Sequence, residues 1–263
     1  MMPSLIIEIG KFPVEFVAAD PVFVDTLRER YSGFTTDSPS VSPVRFSVET
    51  SPDPFPGEER IQMSRSDGCW QFGRDTFHAQ WFPEKGCGSI RQTAGITPID
   101  NVLRVLHTLL LVRRGGFLLH AASAIRNGKA FVFSGVSGAG KTTLSRMAPP
   151  DVTLLTDEMS YICPDRDVYR AFGTPFAGDL GVNGVDVSAP LTEINMLAQG
   201  PRNKRELLSP ATALAALLRN ILFLAVDPEY VRLAFEAAYR AVSILPVYRL
   251  TFVPTEEVWE MIS

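Results

Sequence analysis

No uninterrupted apolar stretch in this 263-residue chain reaches the ~18–20 residues needed to span a bilayer, so no membrane-embedded role is expected. The opening residues Met1-Met2-Pro3-Ser4 lack the basic region of a signal peptide, and the chain reads as cytoplasmic. Cysteine is scarce. Cys69, Cys87 and Cys163 are widely spaced, form no C-x-x-C pair and leave one over, which excludes a disulfide framework and a cysteine zinc site and predicts reduced, structural thiols. Dense positive charge is missing too: 25 Lys and Arg stand against 29 Asp and Glu, a net charge of −4. Apart from the short run Arg202-Asn203-Lys204-Arg205, which reads as a solvated turn or a contact to phosphate or an acidic acceptor, nothing favours nucleic acid as a partner. Internal repeats and low-complexity tracts are absent from residues 1–95. What remains is an ordinary globular composition, 46% hydrophobic and 21% charged, enough for one large or two small domains.

Residues 1–95 read as a β-rich module. Runs such as Leu5 to Ile9, Val44 to Val48 and Phe77 to Phe82 are separated by Gly, Pro, Ser and Asp, and the segments 37–43 and 51–57 read as loops. One helix interrupts them, with Asp20-Pro21 at its start and Val22, Phe23, Leu27 and Tyr31 expected on one face. A second helix opens at Thr97-Pro98-Ile99-Asp100, with Asp100 at the capping-box position, and ends at Arg113-Arg114-Gly115-Gly116. Its apolar body from Val102 to Val112 is expected to be buried between the two halves. Strands then follow from Phe117 to Ile125 and Lys129 to Ser134, joined by a turn containing Asn127-Gly128. Val152 to Thr156 reads as a strand, Tyr161 to Phe172 as a hairpin and Glu193 to Leu197 as a strand. Helices are expected over Pro210 to Phe223 and Pro228 to Val242, then a strand at Tyr248 to Val253 and a terminal helix at Glu256 to Ile262.

The strand ending at Ser134 runs into Gly135-Val136-Ser137-Gly138-Ala139-Gly140-Lys141-Thr142, followed by Thr143, which fits G-x-x-x-x-G-K-[ST] at every required position. Such a strand-to-helix turn aims backbone N–H groups at an anion, and its glycines permit positive φ and close approach. The expectation is a nucleoside triphosphate held by Gly135, Ser137, Gly138, Ala139, Gly140, Lys141, Thr142 and Thr143. Lys141 would reach the β/γ-phosphates, and the Thr142 hydroxyl would sit on Mg²⁺.

Only 16 residues beyond Lys141 lies Asp157-Glu158, at a strand end. One short helix and one strand fill that interval, which predicts a neighbouring strand and carboxylates near the γ-phosphate. Two chemistries remain open: an acid that activates an acceptor hydroxyl, or a hydrolytic pair in which Asp157 supports Mg²⁺ and Glu158 orients water. His78 and His107 read as structural histidines, and Trp70, Trp81 and Trp259 as packing.

From His120 to about Leu224 the chain resembles the HPr kinase/phosphorylase family, whose nucleotide site is related to that of phosphoenolpyruvate carboxykinases. The residues that carry this are Leu118-Leu119-His120-Ala121-Ala122, the hairpin, the loop from Gly135 to Thr142 and the acidic pair, which is Asp157-Glu158 here against two aspartates in HPr kinases. The resemblance implies an α/β fold, a P-loop nucleotide-binding domain at 96–263 of the HPr kinase/PEP carboxykinase type behind the β-rich module at 1–95. It implies Asp157 as general base, His120 as its orienting partner and a later metal-binding acid, for which Asp179 is the candidate. Thr142 and Glu158 complete the implied Mg²⁺ set. The second HPr kinase signature is not in its usual form, and Asp179-Leu180-Gly181-Val182-Asn183-Gly184 roughly occupies its place. The chain looks more like divergent HPr-kinase-like proteins, some associated with modified-peptide gene clusters, in which segments like Gly173-Thr174-Pro175-Phe176 and Arg205 to Pro210 recur.

The implied function is transfer of the γ-phosphoryl of ATP to a hydroxyl, serine of a peptide or protein acceptor, with Mg²⁺ as cofactor. A kinase of small hydroxylated metabolites and a non-kinase ATPase or nucleotide-gated binding module are the rival readings. No nucleic acid and no membrane are expected as partners, and a homo-oligomer is compatible with the sequence.

Overall fold

Among the described residues, four short turns put residues other than glycine at positive φ, and each closes a β-hairpin. They are Lys11 (φ 68), Asp67 (φ 50), Asn127 (φ 52) and Arg166 (φ 57). The first three adjoin a glycine that is also left-handed, the combination whose twist matches paired strands. The computed structural model describes residues 2–181 and 183–262, so Met1 and Val182, both named above, lie outside it. The chain divides into two compact units, Met1–Leu110 with Leu224–Val231, and Leu111–Phe223 with Arg232–Ser263.

The first unit holds β1 (Ser4–Ile9), β2 (Phe12–Ala18), α1 (Pro21–Arg30), β3 (Val44–Ser51), β4 (Gln62–Ser66), β5 (Cys69–Arg74), β6 (Phe77–Phe82), β7 (Cys87–Thr93) and the start of α2 (Thr97–Arg113). Its seven strands lie in the order β1-β2-β3-β7-β6-β5-β4. In α1 the Asp20 carboxylate caps the Val22 N–H at 2.9 Å; Leu27 and Tyr31 are buried and Phe23 half-buried as expected, whereas Val22 is 70% exposed and Val24 is buried in its stead. Only Val22 departs from the expected face. Asp100 does not act as a capping-box acid: Tyr31 donates its hydroxyl to it at 2.6 Å, and Arg30 holds it at 3.2 Å. The units divide within α2, between Leu110 and Leu111, and the His107 ring lies 6.2 Å from that of Phe12.

The second unit continues with β8 (Phe117–Arg126), β9 (Lys129–Ser134), α3 (Lys141–Arg146), β10 (Val152–Thr156), β11 (Met159–Asp165), β12 (Val168–Phe172), β13 (Ser188–Gln199), β14 (Lys204–Leu207), α4 (Pro210–Leu218), the body of α5 (Pro228–Ile244) and β15 (Val247–Phe252). Pairings run in a circuit from β8 to β11, β12, β13, β9 and back to β8. Ala121, Ala130, Val132 and Ile194 belong to a buried core that these strands share with α4 and α5. β10 is not adjacent to β9; it pairs with the other edge of the same stretch of β8, Ser123 to Arg126, with a register shift between Leu154 and Thr156.

Two elements differ from expectation. The helix from Pro210 stops at Leu218, because the next residues pair with β8: the His120 N–H donates to Asn220 O at 2.8 Å and the Leu222 N–H to Leu118 O at 2.9 Å. The last turn, Glu256–Met261, is a 3₁₀ helix. The basic run is not a solvated turn throughout: Arg205, on β14, pairs with the buried Glu193 and lies 3.7 Å over the Tyr248 ring. Among the described residues, no helix is long and apolar enough to cross a membrane.

Candidate functional site

The loop between β9 and α3 is shaped by what lies beneath it. A Cβ on Gly135 would come within 2.8 Å of the Ala139 Cβ, and one on Gly140 within 2.6 Å of the Phe252 ring. Gly138 and Gly140 also hold positive φ, 78° and 106°. The loop is thus pinned against β13 and β15 by glycines where larger residues would lift it away. Ala139 turns into the core, and its N–H donates to Val136 O at 3.0 Å. Gly135 and Ala139 therefore support the loop from below, whereas Ser137, Gly138, Gly140, Lys141, Thr142 and Thr143 line a cavity of about 340 Å³.

The same cavity receives His120, Asp157, Glu158 and Asp179, so residues spread over sixty positions of sequence meet there. Lys141 is nearly buried and donates to Gly135 O at 3.1 Å. Burial lowers its pKa, and the Glu158 and Asp179 carboxylates push it back up. Thr142 Oγ1 lies 3.5 Å from Asp179 Oδ2.

The two acids of the pair are held differently. Asp157, 5% exposed, accepts the N–H of Gly178 through Oδ1 and that of Leu180 through Oδ2, both at 2.9 Å. It thereby ties down the segment that carries Asp179. Gly178 is required by this close approach, since a Cβ there would fall 2.8 Å from Asp157 Oδ2. Glu158 is more open, and its Oε2 lies 3.6 Å from His120 Nε2. The expectation set His120 beside Asp157; the carboxylate it faces is that of Glu158. Thr156 and Thr174 fix the bend between the strands: their hydroxyls meet at 3.2 Å, Thr156 Oγ1 accepts the Glu158 N–H at 3.3 Å, and Thr174 donates to Met159 O at 2.8 Å.

Three contributors were not read from the sequence. Gln199 and Arg146 line the cavity, and Gln199 donates to Gly138 O at 2.8 Å. Gln199 ends a strand parallel to β9, and β9 leads into the loop, a pairing no local pattern discloses. Gly178 was visible only as one glycine among many. His78 stacks on Phe55 at 4.9 Å, and His107, Trp70, Trp81 and Trp259 are buried. The cysteines are free thiols.

The donor set can be tested against a metal. Among the described residues no group of three or more His, Cys, Asp or Glu side chains is placed to hold an ion. A threonine hydroxyl beside one carboxylate, with a second acid on the same cavity, supplies hard oxygen donors but no closed cage. That partial set fits Mg²⁺, which keeps waters and shares its coordination with substrate phosphates.

A family model described as the SynChlorMet cassette protein ScmC matches residues 91–263, and the chain belongs to that family. No curated protein matches. Among solved structures, the chain is similar to the Hpr(Ser) kinase/phosphatase from Coxiella burnetii at 12% identity and a TM-score of 0.27, over 47% of this chain and 88% of that one.

Proposed function

We propose that this member of the ScmC family is an ATP-dependent phosphotransferase that moves the γ-phosphoryl group to a hydroxyl, serine of a peptide or protein. The observation that carries the reading is convergence: a glycine-pinned loop, a buried lysine, a threonine beside a carboxylate and an acid beside a histidine share one cavity. Exposed backbone N–H groups of the loop and Lys141 would take the triphosphate, with Lys141 exchanging Gly135 O for phosphate oxygen. Thr142 and Asp179 would hold Mg²⁺. When bound, that ion supplies neutralisation of phosphate charge.

The division of labour between the acids follows from their partners. Asp157 has a backbone N–H on each oxygen, which makes it the residue that positions the Asp179 segment. Glu158, more open and facing His120, takes the proton of the acceptor hydroxyl as its oxygen attacks the γ-phosphorus and the β–γ bridge breaks to release ADP. His120 orients that carboxylate. Few side chains suffice, since phosphoryl transfer is catalysed mainly by positioning and charge neutralisation.

The test is the fate of the γ-phosphate. Incubation with γ-labelled ATP, Mg²⁺ and serine-containing peptides is expected to put label on a hydroxyl. Label recovered only as inorganic phosphate would establish the hydrolytic reading, and label on small metabolites alone would move the acceptor to that class.

A further inference from the structure

A larger cavity, of about 760 Å³, lies elsewhere in the second unit, where the end of α2, the turn between β11 and β12 and the body of α5 meet. Its walls carry four guanidinium groups, from Arg113, Arg114, Arg166 and Arg240. Only Asp167 and Glu236 oppose them, and Glu236 already accepts from Arg232 at 2.7 Å. Among the described residues Arg113, Arg166 and Arg240 are in no ion pair with a carboxylate. Arg166 reaches the cavity from a turn position held at φ 57, a conformation that asparagine or glycine adopts at lower cost. Between the charges the wall is apolar: Val168, Tyr239 and Ile244 are 47%, 56% and 64% exposed.

We propose that this cavity is a docking groove for a polypeptide segment in which acidic residues flank aromatic or aliphatic ones. Unpaired guanidiniums call for carboxylates, which they bind in two-pronged fashion. The exposed Val168, Tyr239 and Ile244 need an apolar partner that a small polyanion cannot supply. A concave wall suits an inserted side chain rather than a flat lipid surface. The groove is separate from the phosphate loop: β11 runs from Met159, next to Glu158, to Asp165 beside the turn, and seven residues at ~3.3 Å each place the two about 20 Å apart. Docking stands independently of phosphotransfer; that the docked chain is also the acceptor rests on the function proposed above.

The experiment uses the full chain without nucleotide and a labelled peptide of repeated Glu-Glu-Leu-Phe, followed by fluorescence anisotropy. Saturable, salt-sensitive binding is expected. The paired substitution Arg113→Ser with Arg240→Ser should weaken it on the order of tenfold or more, as loss of two charge-assisted contacts requires. Tyr239→Ser should weaken it several-fold, roughly the loss of one aromatic contact. All three side chains are exposed, and unchanged melting temperatures would confirm that the variants fold. Lys141→Ala should bind the peptide as the parent does, so this result and the γ-phosphate assay fail separately. Equal binding of a Lys-for-Glu peptide, or no effect of the arginine substitutions, would overturn the proposal. So would tripolyphosphate displacing the label while Tyr239→Ser binds normally, capture by phosphatidylserine vesicles in place of the peptide, or self-association abolished by the same arginine changes.

Discussion

Both units of the chain bury polar side chains, and they use them in different ways. In the first, some of them close on one another or on the backbone. Tyr31 donates to Asp100, Arg30 holds the same carboxylate, and the buried Gln92 donates to Thr93 O and Gly95 O at 3.2 and 2.9 Å. Burial, then Asp100, raises the Tyr31 pKa well above the ordinary phenol value, which keeps it a neutral donor. In the second unit Arg205 likewise closes on the buried Glu193, but the buried groups at the loop between β9 and α3 stop short of closure. Lys141 and Asp157 are anchored on backbone atoms, yet both line a cavity whose other walls carry Glu158, Asp179 and His120. The lesson is that a buried polar residue marks a site only when its network opens onto space that a ligand can enter.

The sharpest way to break that comparison is at Lys141. Lys141→Ala should reduce triphosphate-dependent turnover to background and weaken nucleotide binding by ~1.5–3 kcal/mol, about ten- to a hundredfold. The fold should survive, since glycines and the Phe252 contact shape the loop. Calorimetric titration with an ATP analogue checks it. Unchanged affinity would reduce the second unit's open network to one more structural one.

Next in size come the two acids, which should respond differently. Glu158→Gln is expected to keep nucleotide binding and lose transfer by ~10²–10⁴-fold, the usual worth of a positioned acid-base group. Asp157→Asn turns an amide N–H₂ toward either the Gly178 or the Leu180 N–H, so one backbone donor loses its acceptor. It should raise the Mg²⁺ concentration needed for activity and increase proteolysis near residue 180. If Asp157→Asn instead leaves the Mg²⁺ requirement alone and stops transfer, the base is Asp157. His120→Asn should cost less, about 10²-fold.

Much of this architecture was legible before the structure. Asn127-Gly128 announced the hairpin that feeds the loop, and the glycine spacing from 135 to 140 announced the loop itself, because both signals are local in the chain. Pro210 after Ser209 and Pro228 after Asp227 announced helix starts for the same reason. What stayed hidden depends on distant pairing. Nothing near His120 says that Met159 lies opposite it, so its proximity to Glu158 rather than Asp157 could not be read. Gly178 is explained only by the Asp157 carboxylate, and the early end of α4 only by residues 118–120. The misplacing of Val22 on the buried face of α1 has another cause: it fits an apolar stripe as well as Val24 does, and a helix that short gives periodicity too few turns to decide.

The smallest expected effect concerns His107, the first unit's counterpart to His120. Burial alone lowers its pKa from 6.5 to about 3, so in the native state it stays neutral where an unfolded chain would be protonated. The sign follows from proton counting. Below pH 6.5 the unfolded state binds a proton that the native state does not, so stability is full above that value and falls as the pH drops toward 3. At pH 5 the loss is at most about 2 kcal/mol, from 1.5 pH units at 1.36 kcal/mol each. His107→Leu, close in volume and without a titrating group, should flatten this limb between pH 6.5 and 4 while leaving turnover at pH 7.5 unchanged. Denaturant melts across that range measure it. A variant as acid-sensitive as the parent would show that other groups, not this ring, set the acid limb. A variant that lost turnover while still folded would show that the first unit's buried network is coupled to the site in the second.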